Sequence, residues 1–229
     1  MSNHYEEFLK RLVQYRLQVN MTQEKIGQVL GITQSQLSKQ ELGKTIMTFH
    51  SLCILMDIGW DVDFLFTGEC SRREPSEVSA ILEGMKQASR RSMLEFIAWA
   101  LEKGIEQSGN ELSVEEQREI SLLKLRSSTG IKQPIMYEIR KILGVAQIPM
   151  AEKIGVNIKK YRSLERAQIY PDAELLLDIY EATGCRPSLF LASDRMETLI
   201  IDGLWSRVSP DRQKDILAIT SQVDKFLRK

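Results

Sequence analysis

The stretch MTQEKIGQVLGITQSQLSKQELGKT, residues 21–45, decides how this chain is read. It has the grammar of two short helices joined by a tight turn. Thr22 stands before Gln23, Glu24 and Lys25, where its hydroxyl can accept from the unpaired amides of a helical first turn. Ile26, Val29 and Leu30 then fall on one face at helical spacing. Gly31 follows where the chain has to stop in a left-handed conformation that glycine adopts cheaply, and Ile32 turns back towards a core. Thr33 caps a second helix, Gln34 to Gln40, which buries Leu37 and leaves Gln34, Ser35, Gln36, Ser38 and Lys39 outward. A solvated helix face is usually rich in Glu and Lys. Short amide and hydroxyl groups suit the edges of base pairs instead, and a Gln can bridge N6 and N7 of adenine.

This stretch resembles the Cro and phage-repressor helix-turn-helix family, also called xenobiotic-response-element regulators, and the resemblance extends over residues 5–68. It implies a compact five-helix domain whose third helix enters the major groove of double-stranded DNA. It also implies a Gln opening the second helix that braces a phosphate and the first recognition residue; Gln23 and Gln34 occupy those two positions. By the same resemblance Ser35, Gln36 and Lys39 lie towards bases, and the loop Gly43-Lys44-Thr45 lies against the sugar-phosphate backbone. A further family feature is an arginine of the first helix paired with a glutamate ending the recognition helix, and Arg16 with Glu41 fits it as a structural ion pair. Gln40 and Leu42 depart from the family, which more often carries an apolar residue and then Arg or Asn.

Composition agrees with a globular protein rather than a disordered or fibrous one, with 43% hydrophobic and 27% charged residues among 229. The 31 basic and 31 acidic residues balance, so a positive face for phosphates has to be local. No run approaches the roughly 18 apolar residues of a membrane span. The start MSNHYEEFLKRL lacks the basic-then-apolar layout of a signal peptide, so a cytoplasmic protein without membrane contact is expected. Cys53, Cys70 and Cys185 have no C-x-x-C spacing, which gives neither a disulfide framework nor a zinc site. There is no phosphate-binding glycine loop and no H-E-x-x-H, and the two histidines, His4 and His50, stand apart. No catalysis, cofactor or metal is therefore expected. His50 reads as a surface or packing residue, and Trp60, Trp99 and Trp205 as core or interface anchors.

The rest of the chain reads as helix, for example Met93, Phe96, Ile97, Ala100 and Leu101, punctuated at residues 70–75, 108–110, 128–134 and 208–210. Comparison of the chain with itself brings out a second copy of the motif. Residues 146–166, AQIPMAEKIGVNIKKYRSLER, align with the first copy at an offset of 124, which carries Arg16 to Arg140, Gln23 to Gln147, Gly31 to Gly155, Leu37 to Tyr161 and Glu41 to Glu165. Beyond it, LCILMDIGWDVDFLF from Leu52 aligns with LLLDIYEATGCRPSLFL from Leu175 through one inserted residue. The expected fold is all-α: two lambda-repressor-like helix-turn-helix domains, each followed by a longer helical segment. The expected division is 1–70 for the first domain, 71–128 for a linking or dimerisation segment, 129–194 for the second, degenerate domain and 195–229 for a C-terminal helical segment.

In the second copy Ile158 replaces Gln34 and no glycine follows Glu165-Arg166, which weakens it as a base reader. Its charge suits phosphates better: Lys153, Lys159, Lys160, Arg162 and Arg166 face only Glu152 and Glu165. Gln147, Lys159, Lys160 and Arg162 are the candidate contacts there, with Arg140 and Glu165 as the structural pair, and Tyr161 reads as a core replacement for Leu37. The alternative for this copy is a solvated face on a repeat kept for packing. Apolar stripes at 78, 81, 82, 85, 93, 96, 97, 100 and 101, and at 216, 219, 223, 226 and 227, can pack within one chain or between two. Family habit favours a homodimer; the rival is an internal pseudo-dimer facing an asymmetric site. The expected function is a sequence-specific transcription regulator with recognition helix 33–41 in the major groove of DNA. A protein-interaction module on the same fold, antitoxin-like or scaffold, is the alternative.

Overall fold

The computed structural model describes residues 3–70, 74–129, 133–192 and 195–227. Among the described residues the elements are all helices. They are α1 (Asn3–Gln18), α2 (Gln23–Leu30), α3 (Gln34–Glu41), α4 (Phe49–Asp57), α5 (Val62–Thr67), α6 (Glu77–Glu83), α7 (Gln87–Gln107) and α8 (Val114–Thr129). There follow α9 (Ile135–Leu143), α10 (Gln147–Lys153), α11 (Ile158–Glu165), α12 (Ala173–Thr183), α13 (Ser188–Leu191), α14 (Met196–Trp205) and α15 (Pro210–Leu227). None is long and apolar enough to cross a membrane. The expected breaks at 70–75 and 128–134 lie partly outside the described residues.

The chain divides into two compact units, each built from two pieces: Met1–Ser71 with Ala146–Ala192, and Arg72–Val145 with Ser193–Lys229. The four segments expected from sequence are thus distributed over two bodies, and α9 is grouped apart from α10–α13.

In the first unit α1 buries Tyr5, Phe8, Leu9 and Leu12. The Phe8 ring lies 4.7 Å from Phe66, and Tyr15 lies 4.8 Å from Trp60, closing α1 over α5. Arg11 holds that contact from outside, donating to the Leu65 and Phe66 carbonyls at 2.8 and 2.7 Å, where the last turn of α5 has orphan acceptors. Met47 ends the loop after α3, and its amide donates to the Tyr5 hydroxyl at 3.1 Å. Burial pushes the Tyr5 phenol above its usual range, so the oxygen stays a neutral acceptor.

Helices α10–α13 belong to the same unit. They bury Met150, Ala151, Ile154, Tyr161, Leu164, Leu176 and Ile179. Asp172 caps α12 by accepting from the Leu175 amide, and Thr48 caps α4 by accepting from the Ser51 amide. By position from these caps Leu52 corresponds to Leu176 and Leu55 to Ile179, all four fully buried. The offset therefore stays at 124 through this helix, and the alignment of Leu52 with Leu175 is corrected. The sequence match misleads because residues 175–177 are all leucine, so only the caps fix the register. The extra residue enters afterwards, before the left-handed glycines Gly59 and Gly184, whose spacing is one more than 124.

In the second unit α7 packs against α8 and α15, and α14 against α6, α7 and α8. The stripe from 78 to 101 is broken at Gly84–Lys86 into α6 and α7, and Val78, Leu82, Met93, Ile97 and Leu101 are spent on this unit's own core. A Cβ at Gly104 would stand 2.7 Å from Ile216 Cδ1, so the missing side chain lets α15 come close to α7. Arg126 pairs with Glu138 at 2.9 Å, both side chains almost wholly buried, and Arg90 pairs with Glu197 at 2.7 Å. Such pairs fix geometry more than they add stability, because desolvation offsets their attraction.

Gln40 is 7% exposed, and its Oε1 is buried without a donor. An unmet buried carbonyl costs about 1–3 kcal/mol. Gln40→Leu is therefore expected to stabilise the protein by about 1 kcal/mol. Thermal denaturation checks this, with an expected rise in midpoint of about 2–4 °C.

Candidate nucleic-acid interface

The Thr22 hydroxyl accepts from the Lys25 amide at 3.1 Å and starts α2. Gly31 ends it at φ 69°, a left-handed conformation costly to any residue with a Cβ. Thr33 then starts α3 through a reciprocal capping box: Gln36 N donates to Thr33 Oγ1 at 3.2 Å, and Thr33 N donates to Gln36 Oε1 at 2.8 Å. The two helices meet closely, since a Cβ at Gly27 would stand 2.9 Å from the Ile32 carbonyl oxygen. Ile26, Leu30 and Leu37 are buried as their spacing required, whereas Val29 is 37% exposed. Its turn of α2 faces away from the packed side, so the apolar face is narrower than the sequence indicated.

A carboxylate at the end of α3 sets that helix in place. Glu41 receives Arg16 Nε on Oε1 at 2.6 Å and Arg16 Nη2 on Oε2 at 3.2 Å, and Gln23 Nε2 also donates to Oε2, at 2.7 Å. The Arg16 and Glu41 side chains are 10% and 5% exposed. Arg16 Nη1 also donates to the Met21 carbonyl at 2.9 Å, so one guanidinium joins α1, the start of α2 and the end of α3. Such a fork is bidentate and geometrically exacting.

With α3 held this way, Gln34, Ser35, Gln36 and Lys39 are exposed, as are Lys44 and Thr45 in the following loop. Gln23 is half-buried and turned to Glu41. The Gln36 carbonyl oxygen is occupied by the capping box, which leaves its NH2 as the group to offer. Of the three lysines in residues 21–45 all are exposed, while Glu41, one of two acids there, is turned inward to Arg16. The outer surface is therefore more positive than the formal charge of the segment.

In the same unit Lys159, Lys160 and Arg162 on α11 are exposed. Gln147 at the start of α10 donates to Glu165 Oε2 through a short contact, and Arg162 Nε donates to Gln147 Oε1 at 3.3 Å. Asn157 caps α11 by accepting from the Lys160 amide at 2.8 Å. Glu165 is buried, at 6% exposure. Arg140 lies in the second unit, where its Nη1 donates to the Val145 carbonyl at 3.2 Å and its guanidinium stands 5.5 Å over the Tyr137 ring.

Sequence reading missed three of these features. Gly27 had no turn or cap around it to flag its close approach, and Tyr5 bonds a residue 42 positions away. The capping role of Gln36 follows the Thr-x-x-Gln pattern and ties up the oxygen that a base contact would use.

Residues 12–57 match the helix-turn-helix family model. The match supports a domain of the xenobiotic-response-element type and covers α2, α3 and α4 with the last turns of α1. It concerns a DNA-binding domain rather than an enzyme. No curated protein and no solved structure matches the chain.

Removal of one member of a buried pair strands the other charge. Arg16→Ala is expected to leave Glu41 with Gln23 alone and to cost about 3–5 kcal/mol of stability. Urea unfolding with Arg16→Ala and the double variant Arg16→Ala/Glu41→Ala measures the coupling, and an unchanged midpoint in the single variant overturns the assignment.

Proposed function

We propose that the chain is a sequence-specific transcription regulator of double-stranded DNA, with α3 as its major-groove helix. The observation that carries this is the exposure of Gln34, Ser35 and Lys39 on a helix whose other side is fixed by the buried Glu41 clamp. Base readout needs donors and acceptors held in one geometry, because a misplaced side chain satisfies every base equally. Here Leu37 and Glu41 fix the helix, and the polar groups between them stay open to solvent. Gln34 and Ser35 are the base-edge readers, with Gln36 offering its NH2 and Lys39 a cation. Lys44 and Thr45 contact the backbone, which positions the helix without choosing sequence. Gln23 supports the helix through Glu41, and the free amides at the N-terminus of α2 suit a phosphate.

The pair α10–α11 is proposed as a second, degenerate copy. What supports this is a set of equivalences at one offset of 124. Gln23 bonds Glu41 as Gln147 bonds Glu165, and Arg16 bonds the Met21 carbonyl as Arg140 bonds that of Val145. Leu37 and Tyr161 are both fully buried, and helices 34–41 and 158–165 have the same bounds.

Duplexes enriched from a random library identify the preferred site. On that site Gln34→Ala is expected to cost about 1–3 kcal/mol and to relax base preference, whereas Lys44→Ala weakens all sequences alike and lowers the salt slope by about 1. Wild-type binding by both variants, measured by titration at several salt concentrations, sinks the docking.

A further inference from the structure

Inside the first unit, the segments that follow α3 and α11 meet. The Ala173 amide donates to the Met47 carbonyl at 3.0 Å, and the Phe49 ring stacks on Tyr170 with centroids 4.7 Å apart. At the offset of 124, Ala173 is the counterpart of Phe49 and Tyr170 that of Ile46. Thus position 49 of each copy touches position 46 or 47 of the other. Neighbouring positions thus meet from both sides, one through a backbone hydrogen bond and one through stacked rings, as an isologous two-fold contact would place them. A second point lies on the same joint: Asp63 accepts from Ser188 N at 2.8 Å and from Ser188 Oγ at 2.6 Å, both residues being buried. With the one-residue insertion after α12, Ser188 is the counterpart of Asp63 itself, a position that meets its own equivalent and so lies near the axis.

We propose that the first unit is an intramolecular pseudo-dimer, in which a single chain presents α3 and α11 to one stretch of duplex and reads a two-part, asymmetric site. The proposal rests on the DNA reading above. The surface through which two separate chains would pair at these positions is already covered by the chain's own second copy. The chemistry of the halves differs. Where α3 has Gln34, Ser35 and Gln36, α11 has Ile158, Lys159 and Lys160. The first half carries hydrogen-bonding groups that choose bases, and the second carries point charges that grip phosphates and choose nothing. Lys159, Lys160 and Arg162 are all exposed, with Arg162 donating to Gln147. Because the halves are joined in cis, the second contact forms at high effective concentration.

The test uses the full chain on its selected duplex. One chain per duplex is expected by sedimentation, on a motif without palindromic symmetry. Nuclease protection should run about one helical turn past the conserved bases on one side only. The variant K159A/K160A/R162A changes exposed side chains and should keep the wild-type circular dichroism. It should lower the salt slope by about 2–3 and lose the extra protection, with base preference in the conserved half unchanged. Two chains on a palindromic motif, or a triple variant with wild-type slope and footprint, overturns the pseudo-dimer and leaves the regulator reading intact. A library with no enriched sequence removes that reading, and the proposal falls with it.

Discussion

One carboxylate organises the helix-turn-helix of residues 21–45. Glu41 closes α3 and takes donors from α1 through Arg16 and from α2 through Gln23. An ion pair so far out of water adds little net stability over an apolar replacement, since desolvation cancels most of its Coulomb gain. What it supplies is direction. A guanidinium fork satisfied at both tines and at the Met21 carbonyl tolerates few orientations of the helix it grips. The polar groups of α3 are thereby aimed without spending any of their own hydrogen-bonding capacity, apart from the Gln36 oxygen that closes the cap.

The same carboxylate geometry recurs at Glu165 with Gln147, yet the residues it orients are of another kind. The Gln147–Glu165 bond thus holds a helix that presents Lys159, Lys160 and Arg162 rather than an amide face. Within the first unit, residues 46–63 meet residues 170–188 through one polar and one aromatic contact. Asp63 is buried and tolerates burial because both donors of Ser188 meet it. Phe49 and Tyr170 cover the flank, with Tyr170 still 67% exposed.

The helix-turn-helix of residues 21–45 was legible in the sequence because its signals are local. Thr22, Gly31 and Thr33 act on neighbours within a turn or so, and the bounds they set were met. The Arg16 to Glu41 contact spans 25 residues and was accessible only through a family likeness. Burial of Gln40 and exposure of Val29 were not legible, since helical spacing gives the direction of a side chain but not whether another element lies there. The least legible feature was the division of the chain. Pro and Gly mark where helices stop, and nothing in a linear reading shows that residues 146–192 return to the unit begun at the N-terminus. The stripes around 78–101 indicated packing against other helices, which α8, next in the chain, and α14 and α15, far along it, provide.

The bond from Ser188 to Asp63 spans 125 residues, and this has a bearing on biosynthesis. Helices near the N-terminus emerge from the ribosome first, and at ordinary elongation rates roughly 6–25 s pass before Ser188 follows Asp63. Throughout that interval the first unit is half built, and Asp63 has not yet met Ser188. Non-local closure of this kind slows folding relative to helical proteins of purely local topology. A truncated translation product would therefore carry α3 without the residues 146–192 that complete its unit.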